Sequence, residues 1–573
     1  MPRWTEGDVS GSETLTIEDH LYESHINELR ETFDKLFYDV TSYGATGDGA
    51  TDDTVSIQAT IDSVNSDGGG VVFFPIGVYI ISSTLILYSN ITLKGISGQS
   101  VLDFSAETET FIAVSATGSV GDAVELAESA TAGDNDLALI TNLLAADDHL
   151  FLYAETIRTP IVTKAGEIVR VKTITDGDNL VLYNDIYDTY VTGDTAAIKK
   201  ITFVENIGVD GLNFEGPADT EVAITGIQLQ YCKDIKIRDC ILNSTHYKGV
   251  KAISCIKGSV TDCKFLDIEK AGLGYGVGLE DTSQDWIISN NIADNVKNFC
   301  NIGANNGDYG LVRRVNACGN VCTNMWGSAF DAHDNADDIN YSNNVISGYQ
   351  GFNLRCKNIV ICNNIVDCYY KGLIYQPLTN LPSTGVISGN IFKGGSDKGI
   401  AITQTTDDYG NIVGLTISNN IVSENSGRAI IIYGSNNLGP IENLIISGNA
   451  LSSPVGVGGI RIVDITGGVI TGNSMDVTGD SAKALYLSQN CIRIAISNNF
   501  IDSESSTGTA GIRLEDGSDD CTIMGNIVVG AATGITLSDT CEYNNVVGNN
   551  VRNCTAGIVL GSGTGNSSGE NIV

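Results

Sequence analysis

Five side chains able to move protons or hold anions stand at similar distances ahead of a recurring Asn. Glu280 lies 11 residues before Asn291, Asp308 12 before Asn320, Asp331 and His333 13 and 11 before Asn344, and Arg355 9 before Asn364. Their types suit two reactions. In one, two carboxyl groups flank a glycosidic bond, about 5 Å apart for retention or about 6.5–9.5 Å for inversion; Asp308 with Asp331, or Glu280 with Asp331, would be the pair. In the other, a base removes the proton beside a carboxylate while Arg355 or protonated His333 neutralises the developing charge. Asp331 and His333 are two residues apart, so on a strand they share a face. Imidazole carries a proton near neutral pH, and guanidinium grips a carboxylate with two hydrogen bonds. With five His in 573 residues, a His in this pattern is informative. Asn353 and the pair Arg313-Arg314 are candidate substrate-binding residues, the arginines as a local positive field. Asp334, Asp337 and Asp338 read as a solvated acidic turn, and neither a metal nor a cofactor is expected.

The recurring Asn belongs to a phrase: an apolar residue, a small one, Gly or Asn, Asn, then usually an apolar residue. It recurs from Ile288-Ser289-Asn290-Asn291-Ile292 through Ile387-Ser388-Gly389-Asn390-Ile391 to Val547-Gly548-Asn549-Asn550-Val551. Asn291 to Asn550 is ten steps in 259 residues, about 26 per step. That period, with β-branched alternation, calls for short strands and a bend at a fixed place. The expected fold is all-β: a right-handed single-stranded parallel β-helix whose rungs stack at about 4.8 Å and fold as one solenoid. Asn suits the bend because it tolerates the left-handed backbone region and can hydrogen-bond from rung to rung. Equivalent offsets then put Glu280, Asp308, Asp331, His333 and Arg355 on one strip spanning three to four rungs.

Four segments are expected: a helical or coiled-coil segment over 1–37, a capping helix and first rungs over 38–116, a small inserted β domain over 117–200 where the Asn phrase is absent, and the main β-helix over 201–573. Within 54–66, Ile57, Ile61 and Val64 share a helical face and Asp52 or Asp53 can cap its start. Tyr22, Ile26, Leu29, Phe33 and Leu36 step by 4, 3, 4 and 3, which is a heptad seam able to join several chains, three by expectation; a lone amphipathic helix fits equally. Composition narrows the partners. The net charge of −37 opposes nucleic acid. No basic segment leads into an apolar run at the start and no span of about 18 uncharged apolar residues follows, so neither a signal peptide nor membrane insertion is expected. The 14 Cys, mostly beside apolar residues, read as small core residues.

The run Tyr38-Asp39-Val40-Thr41-Ser42-Tyr43-Gly44-Ala45-Thr46-Gly47-Asp48-Gly49-Ala50-Thr51-Asp52-Asp53-Thr54, followed by Ile57-Gln58, Gly68-Gly69-Gly70-Val71-Val72-Phe73-Phe74-Pro75 and Gly77-Val78-Tyr79, closely resembles the opening of pectate-lyase-like β-helix proteins. That superfamily includes phage tailspikes that degrade bacterial surface polysaccharide. Asp331-Ala332-His333 resembles an Asp-x-His motif of polysaccharide-active β-helices, alginate epimerases among them, and Gly351-Phe352-Asn353-Leu354-Arg355 resembles the rung that follows it in tailspike-like members. The resemblance implies a polysaccharide substrate, lyase or hydrolase chemistry, a homotrimer, virion-tail contacts through the N-terminus, and a virion or extracellular location. Two positions depart from the pattern. Ser328 stands where the epimerases carry a proton-donating Tyr, which counts against an epimerase, and Asn298-Phe299-Cys300 stands where many relatives carry Arg-His. A non-catalytic glycan-binding fibre is the alternative.

Overall fold

A computed structural model describes residues 37–573 apart from 142–143, 158–162, 177, 271, 304–307, 334–335, 378–382, 404–411, 425, 435–440, 454–456, 479–481 and 504–507. The heptad seam from Tyr22 to Leu36 lies outside the described residues, as does Asp334. The chain forms a parallel β-solenoid with one 18-stranded sheet, one strand per turn, and a 30-stranded sheet that wraps the two other faces. Alternation in the sequence becomes alternation of burial. In Gln284–Ser289, Trp286 and Ile288 enter the core at 1% and 0% exposure while Ile287 between them is 49% exposed. A single apolar core runs inside the tube from Tyr38 to Val551.

The bend is made by two residues with separate tasks, where the sequence suggested one. The first takes the left-handed conformation: Asn290, Asn343 and Asn363 have φ of 57°, 56° and 56°, and Gly319 and Gly389 do the same without a Cβ. The second is the buried Asn. Asn364 donates from Nδ2 to Asn390 Oδ1 at 2.9 Å and to the Tyr341 carbonyl at 3.0 Å, and its backbone N–H donates to the same Asn390 oxygen. This ladder continues from Asn291 to Asn549, one residue short of the expected last step, and on to Asn571. It satisfies buried polar groups that the tight turn leaves without a strand partner. All Cys are unpaired and, apart from the half-buried Cys318, Cys362 and Cys554, buried.

At the N-terminal end, the helix Thr54–Ser66 turns Ile57, Ile61 and Val64 into the core. Asp52 caps it, accepting from the Thr54 N–H at 3.0 Å. Asp53 instead accepts from the Thr46 and Gly47 N–H groups at 2.6 and 3.0 Å, so it holds the Gly-rich turn closed. Gly47 has φ +62° and a Cβ there would lie 2.9 Å from the Tyr79 ring, which is why that turn needs glycine.

Between Ser119 and Thr202 the chain leaves the solenoid to build a six-stranded antiparallel sheet with its own core of Leu126, Leu150, Leu152, Val171, Leu180 and Ile198. The insert docks on the tube through Phe151, Tyr153 and Ile168 against Ile256 and Tyr309. A backbone bridge, Lys164 N–H to the Asp308 carbonyl at 2.9 Å and Gly310 N–H back to the Lys164 carbonyl at 3.1 Å, ties it to a later turn. Among the described residues no helix is long and apolar enough to cross a membrane.

Candidate active site

Three long strands, Val321–Ala332, Val345–Leu354 and Ile365–Tyr375, run on through a corner of the 30-stranded sheet that is broken in most other turns. Beneath them Phe299, Phe330 and Phe352 pack in sequence, with ring centroids 5.8 and 5.4 Å apart, and Tyr341 lies 4.7 Å from Phe330. These inward rings fix the strand ends, so the residues that alternate with them face outward on rigid backbone. Asp331 pairs in register with Asn301 on one side and Asn353 on the other.

Asp331 is held from several directions. Its Oδ2 accepts from Asn298 Nδ2 at 3.0 Å and Asn301 Nδ2 at 3.4 Å, and its Oδ1 from Asn353 Nδ2 at 3.0 Å. His333 Nε2 lies 3.3 Å from Oδ2. Burial alone would push this carboxyl up, but the contact with His333, the positive field of His333 and Arg355, and the Asn353 donor outweigh it and hold it below the usual carboxylate range. Asp331 is therefore an ionised, nearly saturated acceptor, suited to orienting a neighbour more than to attacking substrate. That neighbour is His333. Arg355 Nη2 lies 2.8 Å from His333 Nδ1, and guanidinium has no acceptor, so in the neutral ring Nδ1 accepts and Nε2–H is directed to Asp331 Oδ2, with Asn301 Nδ2 also 3.3 Å from Nε2. Within the trio Asp331, His333 and Arg355, the His333 side chain is 38% exposed against 14% for Asp331, so the imidazole can meet a ligand directly.

Of the residues expected on one strip, Asp331, His333 and Arg355 come together, and the candidate substrate-binding residue Asn353 joins them. Glu280 follows Leu279, which pairs with Ile302, so it lies on the same face toward the N-terminal end. It is buried against Lys248, with Lys251 Nζ at 3.5 Å. Asp308 does not sit on a rung strand: it is exposed on the connection that meets the insert. Arg313 and Arg314 belong to the 18-stranded sheet and turn toward the insert. Arg313 lies 3.8 Å from Glu167 and over the Tyr187 ring, and Arg314 is bound to Asp285 and Gln284. Both line a cleft of about 530 Å³ between insert and solenoid, away from Asp331. Asp337 is buried, at 1% exposure, rather than part of a solvated turn; its strand pairing with Arg313 and its contact with Tyr187 explain why.

Sequence reading missed a basic and aromatic group beside the trio. Lys251 pairs with Gly278 and Gly278 with Asn301, in the column that leads to Asp331. Burial and the charge of Lys251 pull the Lys248 ammonium down to about 7 against the opposing pull of Asp281, and Lys248 touches the Glu280 carboxylate. Next to them, burial and then Asp308 raise the Asp281 carboxyl to about 7, against the opposing pull of Lys251 and Lys248. On the other side, Tyr349 stacks on Tyr370 at 4.9 Å and meets Tyr369 edge-on at 5.3 Å; Tyr369 is 62% exposed. The spacing of these residues from the rung Asn carries no common offset, so only the folded corner assembles them.

Residues 37–142 match the family model described as rhamnogalacturonase A/epimerase, pectate lyase-like, and residues 408–573 match the right handed beta helix region. The capsule K1-specific depolymerase of Klebsiella phage K64-1 is 25% identical over 230 residues, which are 38% of this chain and 25% of that protein. The chain spans a quarter or less of the length of the first curated relatives it matches. Among solved structures, the tailspike protein gp49 of Pseudomonas phage LKA1 superposes with a TM-score of 0.57 at 18% identity, covering 83% of this chain and 82% of that one. The gp54 tailspike of Acinetobacter baumannii bacteriophage AP22, solved with a capsular saccharide, gives 0.52 at 14% identity over 93% and 79%. At these identities the structural likeness concerns the fold.

Proposed function

We propose that this chain, a pectate-lyase-like right-handed parallel β-helix, degrades polysaccharide in the manner of a phage tailspike depolymerase, with the His333 ring as the reacting base. The observation that carries the reading is the relay Arg355 to His333 to Asp331, open at the imidazole. The capsule depolymerase relative and the saccharide-bound tailspike neighbour support a polysaccharide as substrate.

The relay suits β-elimination. A uronate carboxylate engages Arg355, which releases His333 Nδ1 from its hydrogen bond. Nδ1 then takes the proton on the carbon beside that carboxylate, and Asp331 stabilises the imidazolium through Nε2–H. The electron pair from the broken C–H bond forms a C=C double bond, the bond to the glycosidic oxygen breaks, and that oxygen leaves with its pair and takes a proton from the imidazolium or from water. Asn353 holds Asp331 in place, and Tyr349 one rung on, with Tyr369 and Tyr370 two rungs on, offer aromatic surface for sugar rings. A uronate-bearing capsular polysaccharide would release fragments with an unsaturated end, detectable by their ultraviolet absorbance; fragments without it would exclude elimination.

A hydrolase is the second reading, favoured by the unlike pair Asp281, held up to about 7, and exposed Asp308 close enough to act on it. A carboxyl with a raised pKa beside a second, exposed carboxyl is the acid and base pattern of glycoside hydrolysis. A homotrimer attached through its N-terminal segment to a virion tail belongs to the same proposal, resting on the seam from Tyr22 to Leu36.

A further inference from the structure

The same outer column that holds Asp331 continues toward the C-terminus. Asn353 pairs with Ile374, then Ala401, Ile431, Arg461, Tyr486 and Arg513 follow in strict register. Arg461 is thus five rungs beyond Asp331, about 24 Å along the axis at about 4.8 Å per rung. Around it the charge changes sign. Arg428, Arg461, Lys483 and Arg513 gather there, and among the described residues one carboxylate, Glu515, pairs within the group, with Lys483 at 3.6 Å and with Arg513. Four cations against one anion form a positive island on a chain whose net charge is −37.

The island is held in shape. Lys483 Nζ lies 3.9 Å from the centre of the Tyr486 ring and the Arg461 guanidinium 5.2 Å from it. Arg461 also donates to the Tyr433 hydroxyl at 3.2 Å, and the Tyr486 hydroxyl is tied to Glu515. Arg428 donates to the Lys483 carbonyl at 3.4 Å. Burial, and after it the charge of Arg461, lower the Arg428 guanidinium to about 10, so the group is under like-charge repulsion that a bound anion would relieve. Aromatic faces extend the cations and keep their polar ends outward.

We propose that this island is a second binding site, for carboxylate-bearing or sulfated units of an acidic polysaccharide that runs along the solenoid axis from the His333 cluster. It rests on the polysaccharide reading above for the ligand's identity as a glycan, and on the island's own geometry for its acidity. Dense polyanions such as nucleic acid are disfavoured by the acidic remainder of the surface, whereas a glycan carrying one charge per sugar or fewer can meet the island locally within a Debye length.

The test uses the full chain carrying Asp331→Asn, so that binding is read without turnover. Calorimetric titration with oligogalacturonate and oligomannuronate, against neutral dextran, is expected to give at least about tenfold tighter binding of the acidic oligosaccharides, weakened by salt. Adding Arg428→Gln and Arg461→Gln is expected to remove about tenfold of that affinity with circular dichroism unchanged. If that variant does not fold, Glu515→Gln replaces it and is expected to tighten acidic binding. Equal affinity for dextran, acidic binding that neither set of changes alters, or no binding of either acidic probe would overturn the island. Acidic binding through the island in a protein that cleaves no glycan would overturn the depolymerase reading alone.

Discussion

His333 accepts a hydrogen bond from Arg355 at Nδ1, 2.8 Å away, and faces Asp331 with Nε2. One imidazole thus links a cation, which an acidic ligand can draw off, to an anion that stays fixed. His333→Ala is expected to lower polysaccharide cleavage by about 10² or more, and Asp331→Asn by a similar factor, the usual scale for a general base and its partner. Arg355→Gln is expected to raise KM for an acidic glycan together with lowering kcat. Steady-state kinetics on one capsular polysaccharide checks all three, and full activity in His333→Ala would move the chemistry elsewhere.

The pH dependence follows from two carboxyls of opposite sign. Asp331 is held low in the fold, so its contribution to stability is present above its unfolded pKa of about 3.9 and is lost as pH falls through the lower folded value. Asp281 is held up at about 7, so the folded state binds its proton more tightly and stability falls as pH rises from about 4 to about 7. Asp281→Asn is therefore expected to raise the unfolding temperature at pH 8 and to change it little at pH 4. A constant difference across that range would contradict the assignment.

The Asn ladder predicts a sharp contrast between two polar residues. Asn364→Ala strips the partner from the Asn344 N–H and from the Tyr341 carbonyl, and one of two partners from Asn344 Nδ2 and from Asn390 Oδ1. At about 1–3 kcal/mol for each orphaned buried group, the loss should be at least about 2 kcal/mol. Lys393→Ala, on an exposed strand position, should stay within about 0.5 kcal/mol. Urea unfolding of the two variants measures the difference.

The exposed Tyr369 ring, set against Tyr349, is expected to contribute binding rather than chemistry. Tyr369→Ala should raise KM several-fold, on the about 1 kcal/mol scale of an aromatic contact, and leave kcat nearly unchanged. A fall in kcat equal to that of His333→Ala would assign it a different role.

Features fixed by neighbours in sequence were legible. The Gly-Asp-Gly turn, the helix face of Ile57, Ile61 and Val64, and the rung Asn all act within a few residues or at the bend itself. Offset from the rung Asn located Asp331, His333 and Arg355 because their rungs have short connections. It failed for Asp308 because successive rungs vary from 20 residues, Asn344 to Asn364, to 30, Asn390 to Asn420, and the slack falls in the connections. Arg313 and Arg314 stand 7 and 6 residues before Asn320, inside the strand that leads into the bend, and that strand belongs to a different face. Lys248, Tyr369 and the Arg428 to Arg513 island were illegible for the same reason: each face is assembled from several rungs whose lengths differ.

The central claim, elimination at His333, is tested most directly by following unsaturated-end absorbance and reducing ends together on a panel of uronate-bearing capsular polysaccharides, with the unaltered chain and His333→Ala side by side. The two signals are expected to rise in parallel for the unaltered chain and to fall together by about 10² in the variant. Reducing ends without absorbance, or equal absorbance in both proteins, would contradict it.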